Sequence, residues 1–154
     1  MIENVFVIDG SPDSWEECLK LTYQKLLSEG CVKESFLTGC IEREKVFPTG
    51  LETEIPVAIP HTDAIHVISP AVCLLRLEKP VSFARMDDET ESVEAEFVFN
   101  MALSNDVDQI TMLQRIIEVA QNKEFLLKAK NASVEELMKE LHKIWIEDLQ
   151  GVYA

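Results

Sequence analysis

The segment from Ala71 to Leu103 constrains the fold more than any other part of the chain. "AVCLLRLE" at 71–78 carries two adjacent leucines, and neighbouring residues of a strand point to opposite faces, so this strand asks for burial on both sides. "VSFARM" at 81–86 reads as a further strand begun after Pro80, and "DDETES" at 87–92 as a solvated acidic connection. "VEAEFVFNMAL" at 93–103 alternates as a strand does. With "VFVI" at 5–8 and "VAI" at 57–59 the strands number about four to five.

Cover for both faces comes from helical segments on either side of this cluster. Ser14 with Glu17 forms a capping box, and Trp15, Cys18, Leu19, Thr22, Leu26 and Leu27 recur at helical spacing until Gly30, which predicts a helix over 15–29. A second helix is expected over 33–46, "KESFLTGCIEREKV", weakened by Gly39 and stopped before Pro48. "FPTGLETEIP" reads as a loop. Past the strands the period changes at Val107, and Ile110, Leu113, Ile116, Ile117 and Ala120 form one stripe. A short helix near 123–130 follows, and Ser133 with Glu136 opens another to about 148. The order predicts an α+β fold: a three-layer αβα sandwich with a mixed sheet and helices on both faces. Without repeats, low-complexity segments or linkers, residues 1–154 are expected to form a single domain.

Charge excludes several functions. With 28 acids against 14 bases the formal net charge is −14, which opposes general affinity for nucleic acid or anionic lipid. No apolar run approaches the ~20 residues of a membrane-spanning helix, and no secretory signal opens the chain, so a cytoplasmic protein with no direct membrane insertion is expected. Cys18, Cys31, Cys40 and Cys73 show no C-x-x-C spacing and read as buried apolar residues.

"VAIPHTDAIHV" at 57–67 places two of the three histidines five residues apart, just past a strand. Pro60 ends that strand and sets His61 in a loop at its carboxyl end, where layered α/β proteins often bind ligands. Three chemistries compete: a metal site of His61, Asp63 and His66; acid–base catalysis by a His–Asp pair; and covalent phosphorylation of a histidine. The last needs an exposed nitrogen, a locked tautomer, and donors or a cation around the phosphoryl oxygens, which Thr62 and Arg43 are able to supply. The residue pattern by itself does not choose among them.

"AIPHTDAIHV", with "EREKVFPTG" upstream, resembles the phosphorylation-site region of type-2 sugar phosphotransferase-system (PTS) IIA domains, the fructose/mannitol-like IIA proteins, and most of all their galactitol-type branch. "LLRLEKPVSF", "ALSNDVDQITMLQRI" and "SVEELMKEL" extend the likeness from about residue 14 to 146. The resemblance implies that His61 accepts a phosphoryl group from phospho-HPr and passes it to a cysteine of a cognate enzyme IIB, which serves a membrane component IIC. It implies that Arg43 steadies the active-site loop and the phosphoryl group, and that no metal or diffusible cofactor takes part.

Two departures narrow the branch. "LETEIPV" replaces the Gly-rich segment that usually precedes "AIPH", and Gln109 stands where fructose and mannitol types carry a second histidine. Gln109 can hydrogen-bond a phosphoryl oxygen or an imidazole but carries no charge, which leaves a supporting role. His66 reads either as a partly buried loop residue hydrogen-bonded to backbone or as the helper imidazole that fills that role by orienting His61 or contacting phosphate. Asp63 is expected to tighten the turn as much as to touch imidazole, and His142 to lie on the surface. Two alternatives stand beside the phosphocarrier: a regulatory IIA-like module acting through its phosphorylation state, and a metal-dependent hydrolase at His61, Asp63 and His66.

Overall fold

A computed structural model of the chain describes residues 2–104 and 109–147. In chain order the elements are β1 (Asn4–Gly10), α1 (Trp15–Ser28), α2 (Phe36–Val46), β2 (Gly50–Leu51), β3 (Val57–Ala58), β4 (Ala71–Ala84), β5 (Ser92–Ala102), α3 (Gln109–Ala120), α4 (Lys123–Asn131) and α5 (Val134–His142), which runs into a wider π turn, Lys143–Glu147. The five strands form one sheet in the order β1-β4-β5-β3-β2. β1 runs parallel to β4 and β3 parallel to β5, while β4–β5 and β2–β3 are antiparallel.

Leu74 and Leu75, both fully buried, face opposite sides of the sheet as the double leucine requires. Val5, Val7, Val72, Leu74, Phe97, Phe99 and Met101 pack under α3, α4 and α5. Phe6, Cys73, Leu75 and Val98 pack under α1, with Phe36 and Cys40 of α2 joining them. Full burial of a side chain as large as Phe36 contributes roughly 1.5–3 kcal/mol, enough for a few such anchors to hold a helix to the sheet. The result is the expected three-layer sandwich. All four cysteines are buried and free, and burial pushes the thiols of Cys18 and Cys73 up to about 12.

Local signals set the helix ends. Ser14 Oγ accepts from the N–H of Glu17 (3.2 Å), while Glu17 reaches back to the N–H of Asp13 (2.8 Å). Gly30 takes a positive φ of 73°, and Gly30 and Cys31 return their N–H groups to Leu27 and Leu26, closing α1 in a Schellman turn. Ser133 Oγ accepts from the N–H of Glu136 to open α5. In the core, Asn100 Nδ2 donates to Thr22 Oγ1 (2.8 Å) and Cys40 Sγ approaches Asn100 Oδ1 (3.9 Å), tying α1 and α2 to β5 just before Met101. No helix among the described residues is long and apolar enough to cross a membrane.

Several boundaries differ from expectation. The strands read at 71–78 and 81–86 are one strand, β4, because residues 77–80 bulge opposite Glu96 alone and the bulge needs no N–H from Pro80. The loop read over "FPTGLETEIP" contains the edge strand β2. The helix expected from 33 begins at Phe36, after a turn closed by the Phe36 N–H on the Lys33 carbonyl. Ile110, expected in the core stripe of α3, is 70% exposed, while Ile116 and Ala120 of that stripe are buried and Met112 and Val119 join them against the sheet. Val107 and Asp148, where helix boundaries were expected, lie outside the described residues.

Candidate functional site

β3 delivers His61. Its two residues pair in parallel with β5, Val57 opposite Phe97 and Ala58 opposite Val98, and Pro60 then ends the strand. The Pro60 carbonyl accepts from the N–H of Met101 (2.9 Å), which fixes the backbone entering His61. His61 Nδ1 lies 2.9 Å from the carbonyl oxygen of Ile59. A carbonyl only accepts, so Nδ1 carries the proton and, in the neutral ring, Nε2 carries the lone pair. Burial lowers the pKa of His61; the bond to Ile59 opposes this, the positive charge of Arg43 adds to it, and Asp63 partly offsets it. The ring is therefore neutral at pH 7, half-buried and locked in the tautomer that presents Nε2.

α2 forms the opposite wall. Arg43 lies in its last turn, with the guanidinium 5.4 Å from the centroid of Phe47. Its Nε is buried and makes no hydrogen bond among the described residues. A cleft of about 290 Å³ opens between α2 and the loop after His61, lined by Gly39, Arg43, Phe47, Thr62, Asp63 and His66. His61 is not part of this lining and meets the cleft through its neighbour Thr62. Val46 and Phe47 at the cleft, and Ile65 and Ile68 in the segment after His61, are apolar side chains each more than half accessible.

His66 does not hold His61. Its Nδ1 lies 2.7 Å from Ser35 Oγ, and among the described residues no hydrogen bond joins the two imidazoles. What orients His61 is the Ile59 carbonyl. The other edge of His66 meets α2 at Gly39, where an added Cβ would stand 3.0 Å from His66 Nε2 and 2.7 Å from Thr62 Oγ1. Asp63 is exposed and tightens the turn through its backbone carbonyl, which accepts from the His66 N–H (3.2 Å), with no side-chain cap. The side chain of Gln109 lies outside the described residues. His142 is on the surface, near Glu147. Among the described residues no group of three or more His, Cys, Asp or Glu side chains converges as a metal site.

Four residues of this neighbourhood escaped the sequence reading. Gly39 reads in the sequence only as a weak point of its helix, and Ser35, Glu44 and Thr49 carry no expected role. Glu44 is buried, with Oε2 accepting from the Thr49 N–H (2.7 Å) and Oε1 from the Thr49 hydroxyl (2.9 Å). Burial pushes its carboxyl up to about 7 against the opposing effect of those bonds and of Arg43. The signal for both was the spacing of "ERE" to "PTG": five residues suffice for Glu44 to fold back on Thr49, and Gly50 admits the close approach of the Ala84 carbonyl, 2.6 Å from where a Cβ would stand.

The family model for "Phosphoenolpyruvate-dependent sugar phosphotransferase system, EIIA 2" matches residues 2–144. The galactitol-specific EIIA component of the PTS from Escherichia coli strain K12 is 34% identical over 113 residues, 72% of this chain and 75% of that protein. Among solved structures, the complex of enzyme IIAMTL with phosphorylated enzyme IIBMTL from Escherichia coli superposes with a TM-score of 0.70 at 21% identity, covering 88% of this chain and 92% of that one. The nitrogen regulatory protein IIA-Ntr from Neisseria meningitidis superposes with a TM-score of 0.68 at 18% identity, covering 92% of each. At these identities the two structures show a shared fold.

Proposed function

The chain belongs to the EIIA 2 family of the phosphoenolpyruvate-dependent sugar phosphotransferase system, and on that footing we propose that His61 is its phosphoryl carrier. The reading rests above all on one observation: the Ile59 carbonyl takes the Nδ1–H and leaves the Nε2 lone pair free. Nε2 attacks the phosphorus of the phosphohistidine of HPr, whose other ring nitrogen is protonated. The new N–P bond forms as the donor's N–P bond breaks, and the electron pair of that bond stays on the donor nitrogen. The donor imidazole leaves as the neutral ring while His61 keeps its Nδ1–H on the Ile59 carbonyl. In the second step the thiolate of a cysteine on a cognate enzyme IIB attacks the same phosphorus and His61 leaves, supporting uptake of a galactitol-like hexitol through a membrane IIC.

Such a transfer passes through a loose transition state with charge spread over the equatorial oxygens, so positioning and electrostatics dominate. Arg43 supplies the local cation in a chain that is otherwise strongly acidic, and its unpartnered Nε has a donor to give. The Thr62 hydroxyl and the cleft-facing edge of His66 are further donors for phosphoryl oxygens. The exposed apolar side chains of Val46, Phe47, Ile65 and Ile68 suit a protein partner better than a free sugar. The match to a transport component over most of its length favours uptake over the regulatory alternative. The protein works in the cytoplasm as the domain formed by residues 1–154.

Incubation with phosphoenolpyruvate, enzyme I and HPr is expected to place one acid-labile, base-stable phosphate on the protein. Equal labelling of His61→Ala overturns the assignment.

A further inference from the structure

We infer that Glu44 is a positioning residue for His61, acting through Thr49 and Ile59; this rests on His61 being the phosphoryl carrier. Three links join them. The two carboxyl oxygens of Glu44 take both donors of Thr49, the N–H at 2.7 Å and the hydroxyl at 2.9 Å. The Thr49 carbonyl accepts from the N–H of Ile59 at 3.3 Å. The Ile59 carbonyl accepts from Nδ1 of His61 at 2.9 Å. Thr49 and Ile59 are 2% and 1% exposed, so no link is open to competition from bulk water.

The arrangement answers a mechanical need. β3 pairs over two residues and meets β5 again in register at the His61–Met101 bridge, and the Ile59 peptide between them takes a further tie from Thr49 on its other side. A bidentate grip on Thr49 holds its backbone N–H and its side chain together, and so places the Cα from which its carbonyl reaches the Ile59 N–H. Gly50 pins the chain on the far side by lying against the Ala84 carbonyl. The direction of the Ile59 carbonyl in turn sets the ring rotation and tautomer of His61. Consecutive residues of a helix do not face the same way, and α2 uses this: Arg43 lines the cleft while Glu44 turns inward to the support.

The grip also survives protonation. A neutral carboxyl still accepts from the Thr49 N–H and donates its own O–H to the Thr49 hydroxyl. A glutamine offers the same acceptor and donor. Alanine offers neither.

The test compares wild-type protein with Glu44→Ala, Glu44→Gln and Thr49→Val. Imidazole ¹⁵N NMR of the unphosphorylated protein reads the His61 tautomer, and initial rates against phospho-HPr concentration read kcat and KM. Glu44→Ala is expected to lose the dominance of the Nδ1–H form and to lower kcat roughly tenfold, the scale of a lost supporting hydrogen bond, at unchanged KM. Glu44→Gln is expected to restore both readouts. Thr49→Val, which removes only the hydroxyl arm, is expected to fall between them, and it carries the same test if Glu44→Ala does not fold. Folded variants with wild-type His61 signals overturn the inference, as does a slower transfer reached through KM alone. If wild-type protein takes no phosphate while Glu44→Ala still shifts the His61 tautomer, the carrier reading falls and the positioning relationship stands.

Discussion

Ser35 Oγ stands 2.7 Å from Nδ1 of His66 and makes no cap to the helix it precedes. Serine at this position normally satisfies an orphan N–H of the first turn, and losing such a cap costs about 0.5–2 kcal/mol. Here Ser35 has an αR backbone, φ −70° and ψ −10°, which turns its hydroxyl toward the loop after His61. The residue that should begin a helix instead fastens the helix to the site.

Ser35→Ala therefore removes a tether and leaves capping as it was. The stability loss is expected to stay near the ~1 kcal/mol of one net hydrogen bond, read as a denaturant midpoint shift at constant m. Phosphorylation of His61 is expected to slow severalfold as His66 and the loop lose their registration. A normal rate in a protein with the midpoint shift would show that His66 takes no part in the transfer.

Arg43 and His61 are coupled through charge. Burial, with the help of Arg43, keeps the His61 pKa below its ordinary 6.5. The acid limb of the phosphorylation rate is accordingly expected below pH 6.5. Arg43→Ala removes one of the causes that lower the pKa, so the limb should move up toward 6.5 while the plateau rate falls. Arg43→Lys should leave the limb near its wild-type position, because the charge remains, and lower the plateau through loss of the planar guanidinium. The same shift bears on folding. Below pH 6.5 the unfolded chain binds the proton more readily, so this contribution to stability is complete above 6.5 and is lost as pH falls toward the folded pKa. His61→Asn is expected to flatten that acid-side loss in denaturant titrations.

The parts of the fold legible in the sequence were those decided locally. Ser14 with Glu17, Ser133 with Glu136, and Gly30 each act within one turn, and the structure uses all of them. The double leucine of β4 reported its two-sided burial because the strand period is two. Pro60 fixed the strand end before His61 for a comparably local reason. Pro80 misled, because whether a proline ends a strand depends on whether a partner across the ladder needs its N–H, and the bulge opposite Glu96 removes that need. Glu44, Ser35 and Gly39 were illegible for a related reason: each is chemically ordinary where it stands, and only the packing of α2 on the loop after His61 gives it a role. His66 lines the cleft beside Thr62, but its partner Ser35 lies 31 residues earlier and no spacing announces that.

Glu44 imposes a pH dependence of opposite sign. Its carboxyl is raised from an ordinary 4.5 to about 7 by burial, so between those values the folded protein keeps a proton that the unfolded chain has released. Its contribution to stability is fully present below about pH 4.5 and declines as pH rises through 7. The shift corresponds to roughly 3 kcal/mol at 1.36 kcal/mol per unit. The charged and titratable groups around it are Arg43, which favours the ionised form, the buried Cys40 thiol, and Lys45 and Glu89 across the adjoining cavity. Glu44→Gln cannot titrate, so its stability relative to wild type is expected to improve steadily from pH 4.5 to 7. A difference independent of pH across that window would show that the carboxyl ionises freely in the folded protein.

Gly39 separates stability from activity. It lies inside α2, where glycine costs about 0.5–1 kcal/mol relative to alanine. On helix propensity alone Gly39→Ala should stabilise. An alanine Cβ, however, would stand 2.7 Å from Thr62 Oγ1 and 3.0 Å from both Cδ2 and Nε2 of His66, so the site loop has to retreat from the helix. Thr62 and His66 are side-chain ends able to move, so the fold should tolerate the change, with the propensity gain and the contact strain partly cancelling. The transfer geometry should not. We expect Gly39→Ala to remain within about 1 kcal/mol of wild type by denaturant midpoint while phosphorylation of His61 slows by roughly tenfold or more, because displacements near 1 Å in a transfer site cost up to about a hundredfold. Full activity in a folded Gly39→Ala protein would mean that the close approach of α2 to the His66 loop serves packing alone.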